Sequence, residues 1–280
     1  MAQYAHYSKP NPDWERAAKA LSQPSASDAP VEMLWARGNE AVYEPRIPIG
    51  FGTGDISMKD YMLRSLSTNL HIVTVNVEYR LEPFPRPQDD SFTALKWAVT
   101  NSANISVDLH KGFLVMGESA GGQIAAVMAQ RALLDPFFHD HSLTGQILQF
   151  PVLCHPGHHP ERHKDRLLSM EQNKDAPLLT RKDVQGVFDF LGGDPKDPSV
   201  SPLLASRLGG LPRVFIQAAG LDPLRDEAIL YRLHFNAKEV LFDRYSGMPH
   251  SFGDIVSETH AGMRFMQDTE NAITWMIQSD

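Results

Sequence analysis

The segment Gly117-Glu118-Ser119-Ala120-Gly121-Gly122 decides the fold, because it places a serine at a sharp turn between an apolar run and a helix. The run before it, residues 112–116, is short and hydrophobic, as expected of a strand buried on both faces. Residues 123–134 after it place apolar side chains on one face at helical spacing. In this setting Gly-x-Ser-x-Gly predicts a nucleophile elbow, a strained turn that exposes the serine hydroxyl and needs small neighbours.

Two partners for Ser119 lie downstream. A serine hydroxyl is a poor nucleophile at neutral pH, so it needs a base within hydrogen-bond reach and a carboxylate that orients this base. Asp222 follows the apolar run 214–216, so it is expected just past the carboxyl end of a strand, where α/β folds place their sites. His250 follows the predicted strand 240–242 by a short loop. The predicted catalytic residues are therefore Ser119, Asp222 and His250.

Each of these residues also has a structural interpretation. Ser119 could be an ordinary turn serine, and His250 an ordinary loop histidine. Asp222 could cap the helix that follows it, although capping and catalysis are compatible. The nearby Asp226 and Glu227 are more typical of solvated or salt-bridged helix positions than of an orienting acid.

Taken with these partners, the chain resembles the hormone-sensitive-lipase-like branch of the α/β-hydrolases. The resemblance covers roughly residues 50 to 280 and implies Ser119 as nucleophile, Asp222 as orienting acid and His250 as general base. The order in which its phrases occur is far more specific than any phrase alone. Besides the serine segment, they are Tyr79-Arg80-Leu81 with Pro83-Phe84-Pro85, Val200-Ser201-Pro202-Leu203-Leu204-Ala205, Asp222-Pro223-Leu224-Arg225-Asp226-Glu227 and Pro249-His250-Ser251-Phe252.

The chain departs from this family at the oxyanion segment. The family pattern has His-Gly-Gly-Gly there, and its backbone N–H groups stabilise the developing negative charge. This chain has Ile47-Pro48-Ile49 in place of His-Gly-Gly, and proline has no N–H to donate. The remaining candidates for oxyanion and substrate binding are Ala120, Gly50, Phe51 and Gly52. Losing one donor costs about 100- to 1000-fold in turnover.

The expected fold is α/β, with a mostly parallel sheet, flanking helices and a lid. All 280 residues are expected to form one α/β-hydrolase domain. Within it, residues 1–45 form an N-terminal helical or cap segment, and residues 151–212 form a lid-like insertion between strands. The N-terminal strands are expected to be shortened, since residues 24–49 offer only two weak strands, at 31–35 and 41–43. Real shortening and a wrongly joined gene sequence would both produce this pattern.

The remaining elements follow from periodicity and from Gly and Pro positions. A helix is predicted from Asn11 to Leu21, with Asp13 as its cap. β-Branched residues predict a strand over His71–Val77. The other predicted helices lie near 58–66, 89–99, 182–191 and 262–277, and the other predicted strands at 112–116, 146–150, 214–216 and 240–242.

Composition narrows the possible partners. The net charge of −8 disfavours nucleic acid and anionic membrane surfaces. The apolar fraction of 42% is ordinary, and no run of about 18 apolar residues predicts a membrane span.

The single cysteine excludes an internal disulfide framework and is typical of a reducing compartment. The polar N-terminus shows no signal peptide, so a cytoplasmic location is expected. No cofactor is expected, and a homodimer is compatible with the sequence.

Several polar clusters are interpreted as structural. The group Cys154, His155, His158, His159 and His163 is the only metal-like constellation, but its spacing matches no standard zinc site, so no metal is predicted. The glycines at 50, 52 and 54 lack the Lys-Ser/Thr that follows a phosphate-binding loop. Glu118 is expected in an ion pair pointing away from the serine hydroxyl. Three further residues are expected to hold loops together: Asp55, Arg80 and Asp90.

The resemblance implies a serine hydrolase that cleaves small acyl esters through an acyl-enzyme. The Glu-bearing elbow is similar to fungal members of the family, some of which are tailoring hydrolases of polyketide pathways, such as versiconal hemiacetal acetate esterases. Two alternatives remain open. The altered oxyanion segment is compatible with a catalytically impaired ligand-binding protein, and the same site chemistry would serve a lactonase or an acyl transferase.

Overall fold

The centre of the described part of the protein is a sheet of four parallel strands, which lie side by side in the order in which they occur along the chain. The computed structural model describes residues 4–21, 51, 55–206, 209–233, 235 and 239–277. The strands are β1 Leu114–Glu118, β2 Gly145–Gln149, β3 Arg213–Ala219 and β4 Val240–Tyr245.

Helices connect and cover these strands. Across the described ranges the α-helices are α1 Pro12–Leu21, α2 Asp60–Leu70, α3 Arg86–Thr100, α4 Ala120–Leu134, α5 Ser169–Gln172, α6 Arg181–Leu191, α7 Arg225–Arg232, α8 Phe252–Ile255 and α9 His260–Ile277. Short 3-10 helices lie at Ala5–Ser8, Ile56–Lys59, Leu109–Lys111, Pro136–Phe138, Pro156–His158, Glu161–His163 and Pro202–Leu204. Within the described ranges, none of the helices is long and apolar enough to cross a membrane.

The two central strands are buried on both faces, and their short apolar runs, 147–148 and 214–216, are flanked by the buried glutamines Gln146, Gln149 and Gln217. Ile147 pairs with Phe215, and both pack with apolar residues of α2 and α9. The next pair, Leu148 and Ile216, points to the opposite face and packs in a larger core with α3, α4 and α7. Because side chains alternate along a strand, this sheet separates two hydrophobic layers.

The α/β fold with flanking helices is confirmed, and most predicted elements appear within a few residues of their expected bounds. The strand predicted over His71–Val77 is wrong. His71 has left-handed backbone and ends α2, and the residues after it pair with no strand in the described part of the chain. Val73 and Val75 are about half exposed. β-Branched residues favour extended backbone, but a strand also needs a neighbour for its hydrogen bonds.

The start of α1 also differs from the prediction. The cap is Asn11, whose side-chain oxygen accepts the N–H of Asp13 at 2.8 Å. Asp13 lies inside the helix, and its carboxylate accepts the N–H of Ala261 at the start of α9. No residue in the described part of the chain before β1 forms a strand. The weak strands predicted at 31–35 and 41–43 lie outside the described residues.

The segment between β2 and β3 consists of short helices. Thr180 and Asp183 form a reciprocal capping box at the start of α6, and Gly192, with a φ of 65°, ends it. The predicted helix at 182–191 is thereby confirmed, while α5 was not foreseen. The division into one domain with an N-terminal segment and a lid stays a prediction.

Candidate active site

The serine of the sequence motif lies on a strained turn between β1 and α4. Ser119 has φ 55° and ψ −113°, a conformation that non-glycine residues rarely adopt. Its N–H donates to the carbonyl of Gln149 in β2 at 2.8 Å, which ties the turn to the sheet. The turn therefore has the backbone strain that the elbow motif predicts.

The neighbouring glycines are required by close backbone approach. A Cβ on Gly117 would lie 2.0 Å from the carbonyl oxygen of Gly121, and one on Gly122 would lie 3.0 Å from Pro151 Cβ. Gly121 differs, because a Cβ there would meet no heavy atom within 4 Å. Two of the three glycines therefore serve packing, whereas a side chain at the third would point into open space.

The predicted acid lies just beyond β3 and is almost fully buried. Asp222 is 1% exposed. Its Oδ1 accepts the N–H of Leu224 at 2.8 Å, so the residue does cap the following turn. Its Oδ2 lies 2.7 Å from Nδ1 of His250. The two carboxylate oxygens thus have separate tasks, and capping coexists with contact to the histidine.

The predicted base joins the acid to the serine. His250 lies after β4, is 3% exposed, and its Nε2 is 2.9 Å from Oγ of Ser119. Because ionised Asp222 can only accept, the Nδ1 of neutral His250 carries the proton and Nε2 is the acceptor. The three residues therefore form a continuous hydrogen-bonded chain, although they are far apart in the sequence.

The charges around His250 favour its protonated form. Burial by itself lowers the pKa of His250, but the charge and hydrogen bond of Asp222 outweigh it, with a smaller contribution from Glu118. The pKa of His250 is consequently raised above its ordinary value of 6.5. An imidazole that gains a proton this readily is well suited to accept one from a serine hydroxyl.

Two of the predicted oxyanion residues, Ala120 and Phe51, lie in the described part of the chain. Ala120 begins α4, and the N–H groups in the first turn of a helix have no partner inside the helix. The helix dipole adds partial positive charge at this end. Phe51 is fully buried in the larger core with φ 66°, so its side chain serves packing. Gly50 and Gly52 lie outside the described residues.

Glu118 forms the expected ion pair, with a partner that the sequence did not suggest. Lys59 Nζ lies 2.7 Å from Glu118 Oε2 and also bonds Asp254 in α8. Burial raises the pKa of Glu118, but Lys59 outweighs this and holds it below the ordinary range. One ammonium group therefore connects the residue before Ser119 with the helix that follows His250.

The two acids that follow Asp222 are salt-bridged, as expected, but both are buried. Asp226 pairs with Arg225 at 2.8 Å. Glu227 accepts the backbone N–H groups of Leu153 and Cys154 and lies 3.0 Å from His159 Nε2. They anchor the segment between β2 and β3, and neither contacts Ser119 or His250 through an observed hydrogen bond.

Asp55, Arg80 and Asp90 have structural contacts, as expected. Asp55 caps the 3-10 helix at Ile56–Lys59, and Arg80 binds Asp90 through two nitrogens, at 2.8 and 2.6 Å. In the part of the chain that the structure describes, no three His, Cys, Asp or Glu side chains are placed to hold a metal ion.

Comparisons with known proteins identify the family. Residues 50–254 match the sequence profile described as alpha/beta hydrolase fold. The chain belongs to this family. The versiconal hemiacetal acetate esterase of Dothistroma septosporum is 30% identical over 82% of this chain and 74% of its own length.

Solved structures agree with this relationship. The crystal structure of vibralactone cyclase has a TM-score of 0.86 and 30% identity, over 97% of this chain and 96% of that one. A bacterial heroin esterase has a TM-score of 0.71 and 28% identity, over 82% and 73% of the two chains. The protein is thus an enzyme of the carboxylic ester hydrolase class within the α/β-hydrolases.

Proposed function

We propose that the protein is a serine esterase that cleaves small acyl esters through an acyl-enzyme. The observation that carries this proposal is the position of His250, 2.7 Å from Asp222 and 2.9 Å from Ser119. This arrangement supports proton transfer from the serine hydroxyl to Nε2 as Oγ attacks the ester carbonyl. Asp222 keeps the imidazole in the tautomer that can accept this proton and stabilises the imidazolium.

The same histidine completes both halves of the reaction. The imidazolium gives its proton to the leaving alcohol, which completes acylation. Neutral His250 then takes a proton from the water that attacks the acyl-enzyme and returns it to Ser119 Oγ as the carboxylic acid leaves. The N–H of Ala120 at the positive end of α4 is the proposed donor to the carbonyl oxygen. Gly50 and Gly52 stay candidates for the second donor.

The identity of the substrate is a narrower proposal than the esterase activity, and it rests on the similar proteins. The likeness to a versiconal hemiacetal acetate esterase supports an acetate ester of a fungal polyketide as substrate. We expect kcat/KM to be highest for p-nitrophenyl acetate and to fall as the acyl chain lengthens. A maximum at octanoate or longer would contradict this choice of acyl group.

A fluorophosphonate probe tests the catalytic proposal directly. Wild-type protein should be labelled at Ser119, and the Ser119→Ala variant should not be labelled and should lose ester hydrolysis. Ser102→Ala, at another turn serine, is the matched control and should behave as wild type. Folded wild-type protein that resists the probe and hydrolyses no ester would instead support a ligand-binding role.

A second candidate function is ring closure. The likeness to vibralactone cyclase extends over nearly the whole of both chains, whereas the heroin esterase matches 82% of this chain. The same acyl-enzyme would then be attacked by a hydroxyl of its own acyl group, which releases a lactone. Product analysis with 4-hydroxyacyl esters distinguishes the two, since a cyclase yields lactone and an esterase yields the hydroxy acid. An added alcohol acceptor would reveal acyl transfer in the same assay.

A further inference from the structure

The acid and the base lie on two loops that are joined by backbone hydrogen bonds. The acid loop comprises Gly220–Asp222, and the base loop comprises Gly247–His250. The N–H of Gly220 donates to the carbonyl of Tyr245 at 2.9 Å, and the N–H of Leu221 donates to that of Met248 at 2.9 Å. Any element that holds both loops therefore also controls the distance between Asp222 and His250.

Residues 4–11, here called the N-terminal brace, contact both loops. The carbonyl of Tyr7 accepts the N–H of Gly247 at 2.8 Å, and the carbonyl of Gly247 accepts the N–H of Asn11 at 3.0 Å. The hydroxyl of Ser8 donates to the carbonyl of Gly220 at 3.2 Å. The brace therefore satisfies both backbone groups of Gly247 and reaches the acid loop as well.

The brace approaches both loop glycines so closely that neither position has room for a side chain. A Cβ on Gly220 would lie 2.0 Å from the carbonyl oxygen of Tyr7, and one on Gly247 would lie 2.0 Å from that of Lys9. Gly247 also has φ 70°, which an L side chain rarely adopts. A side chain at either position would force the brace away from the loops.

Ser8 is the polar centre of this contact, because it also accepts a hydrogen bond from a buried arginine. Arg225 is 1% exposed, and its Nη1 donates to Ser8 Oγ at 2.8 Å and to the Gly220 carbonyl at 3.1 Å. Its Nη2 donates to Gln172 at 2.7 Å. The hydroxyl of Ser8 thus links the brace, the acid loop and α7 in one network.

We propose that the N-terminal brace is a positioning element of the active site and that Ser8 is its positioning residue, holding the acid loop against the base loop. The inference rests on the proposed function for its catalytic consequence, but its structural content is independent of any substrate. Ser8 acts through Asp222 and touches no reacting atom.

The pKa of His250 should depend on how firmly the brace holds the acid loop. The ionisable groups that act on His250 come from three elements: Asp222 in the acid loop, Glu118 at the end of β1 and Lys59 in a 3-10 helix. Loosening the acid loop weakens the contribution of Asp222 alone. The pKa of His250 should then fall, since burial lowers it and Asp222 raises it.

The experiment compares Ser8→Ala, Ser8→Thr and the exposed-site control Lys9→Ala in the full chain. Ser8→Ala should lower kcat about three- to tenfold, which is the cost of one hydrogen bond, and should leave KM unchanged. In a plot of kcat against pH, the fall on the acid side should occur at a lower pH than in wild type. Ser8→Thr keeps the hydroxyl, so its kcat and the pH at which kcat falls should equal those of wild type. Lys9→Ala should match wild type.

A second readout needs no activity. NMR titration of His250 should give a lower pKa in Ser8→Ala than in wild type and Lys9→Ala. Equal His250 titration and equal kcat in Ser8→Ala and Lys9→Ala would overturn the brace proposal while leaving the esterase proposal intact. Wild-type protein that hydrolyses no ester would refute the proposed function, and the NMR comparison would still decide on the brace.

Discussion

Replacing Asp222 with asparagine tests the assignment of the acid most sharply. Oδ1 accepts the N–H of Leu224 at 2.8 Å, and Oδ2 faces Nδ1 of His250 at 2.7 Å. An asparagine has one accepting oxygen and one donating nitrogen. Because the N–H of Leu224 requires an acceptor, the oxygen should stay there and the amide nitrogen should face His250.

This orientation of the asparagine amide determines how much kcat should fall in Asp222→Asn. Nδ1 would have to accept, so the imidazole proton would move to Nε2 and face Ser119, which leaves no base for the hydroxyl. In the Ser-His-Asp template the corresponding change lowers kcat about 10⁴-fold, or about 5.5 kcal/mol of transition-state stabilisation. We expect a loss on the order of 10³- to 10⁴-fold in kcat for Asp222→Asn, with KM within about threefold of wild type.

The assay is hydrolysis of p-nitrophenyl acetate, with folding checked by the urea midpoint. Asp135→Asn is the matched control, because Asp135 Oδ1 accepts the N–H of Phe137 at 2.9 Å in the same cap geometry. Its kcat should stay within about twofold of wild type. Folded Asp222→Asn that retains more than a tenth of wild-type kcat would refute the argument from the tautomer.

Three further predictions follow from the same contacts. Because the pKa of His250 is raised above 6.5 and the neutral form is the base, kcat/KM should fall with decreasing pH through an apparent pKa above 6.5; an acid limb below 6 would contradict this. Gly117→Ala should lower the melting temperature sharply, since its Cβ would lie 2.0 Å from the carbonyl of Gly121; an unchanged melting temperature would show that the elbow can shift. Lys59→Met should cost about 1–3 kcal/mol in urea unfolding, because it leaves the largely buried Glu118 carboxylate without its partner, whereas Lys59→Arg should retain most of the stability.

The candidate residues of the site and the strands that carry them could be predicted from the sequence. A nucleophile elbow depends on a few adjacent small residues, so Ser119 and its turn were predictable from residues 117–122. Strands β2 and β3 were predictable as well, because the short apolar runs 147–148 and 214–216 at their centres are typical of strands buried on both faces. Asp222 and His250 were predictable as residues that follow such strands, since the carboxyl ends of parallel strands meet at one edge of the sheet.

Contacts between distant segments were decided by the tertiary structure alone. His71–Val77 has the composition of a strand, but no described neighbour pairs with it, and pairing is a property of two segments. Lys59 carries no local signal of its bond to Glu118, and Ser8 none of its bonds to Gly220 and Arg225, over 200 residues away. Short-range spacing and hydrophobicity in the sequence determined the proposed catalytic residues Ser119, Asp222 and His250. Only packing in three dimensions determined what holds them 2.7 and 2.9 Å apart, because those supports are backbone groups, which every sequence contains, and side chains such as Ser8 and Lys59 that are distant in the chain.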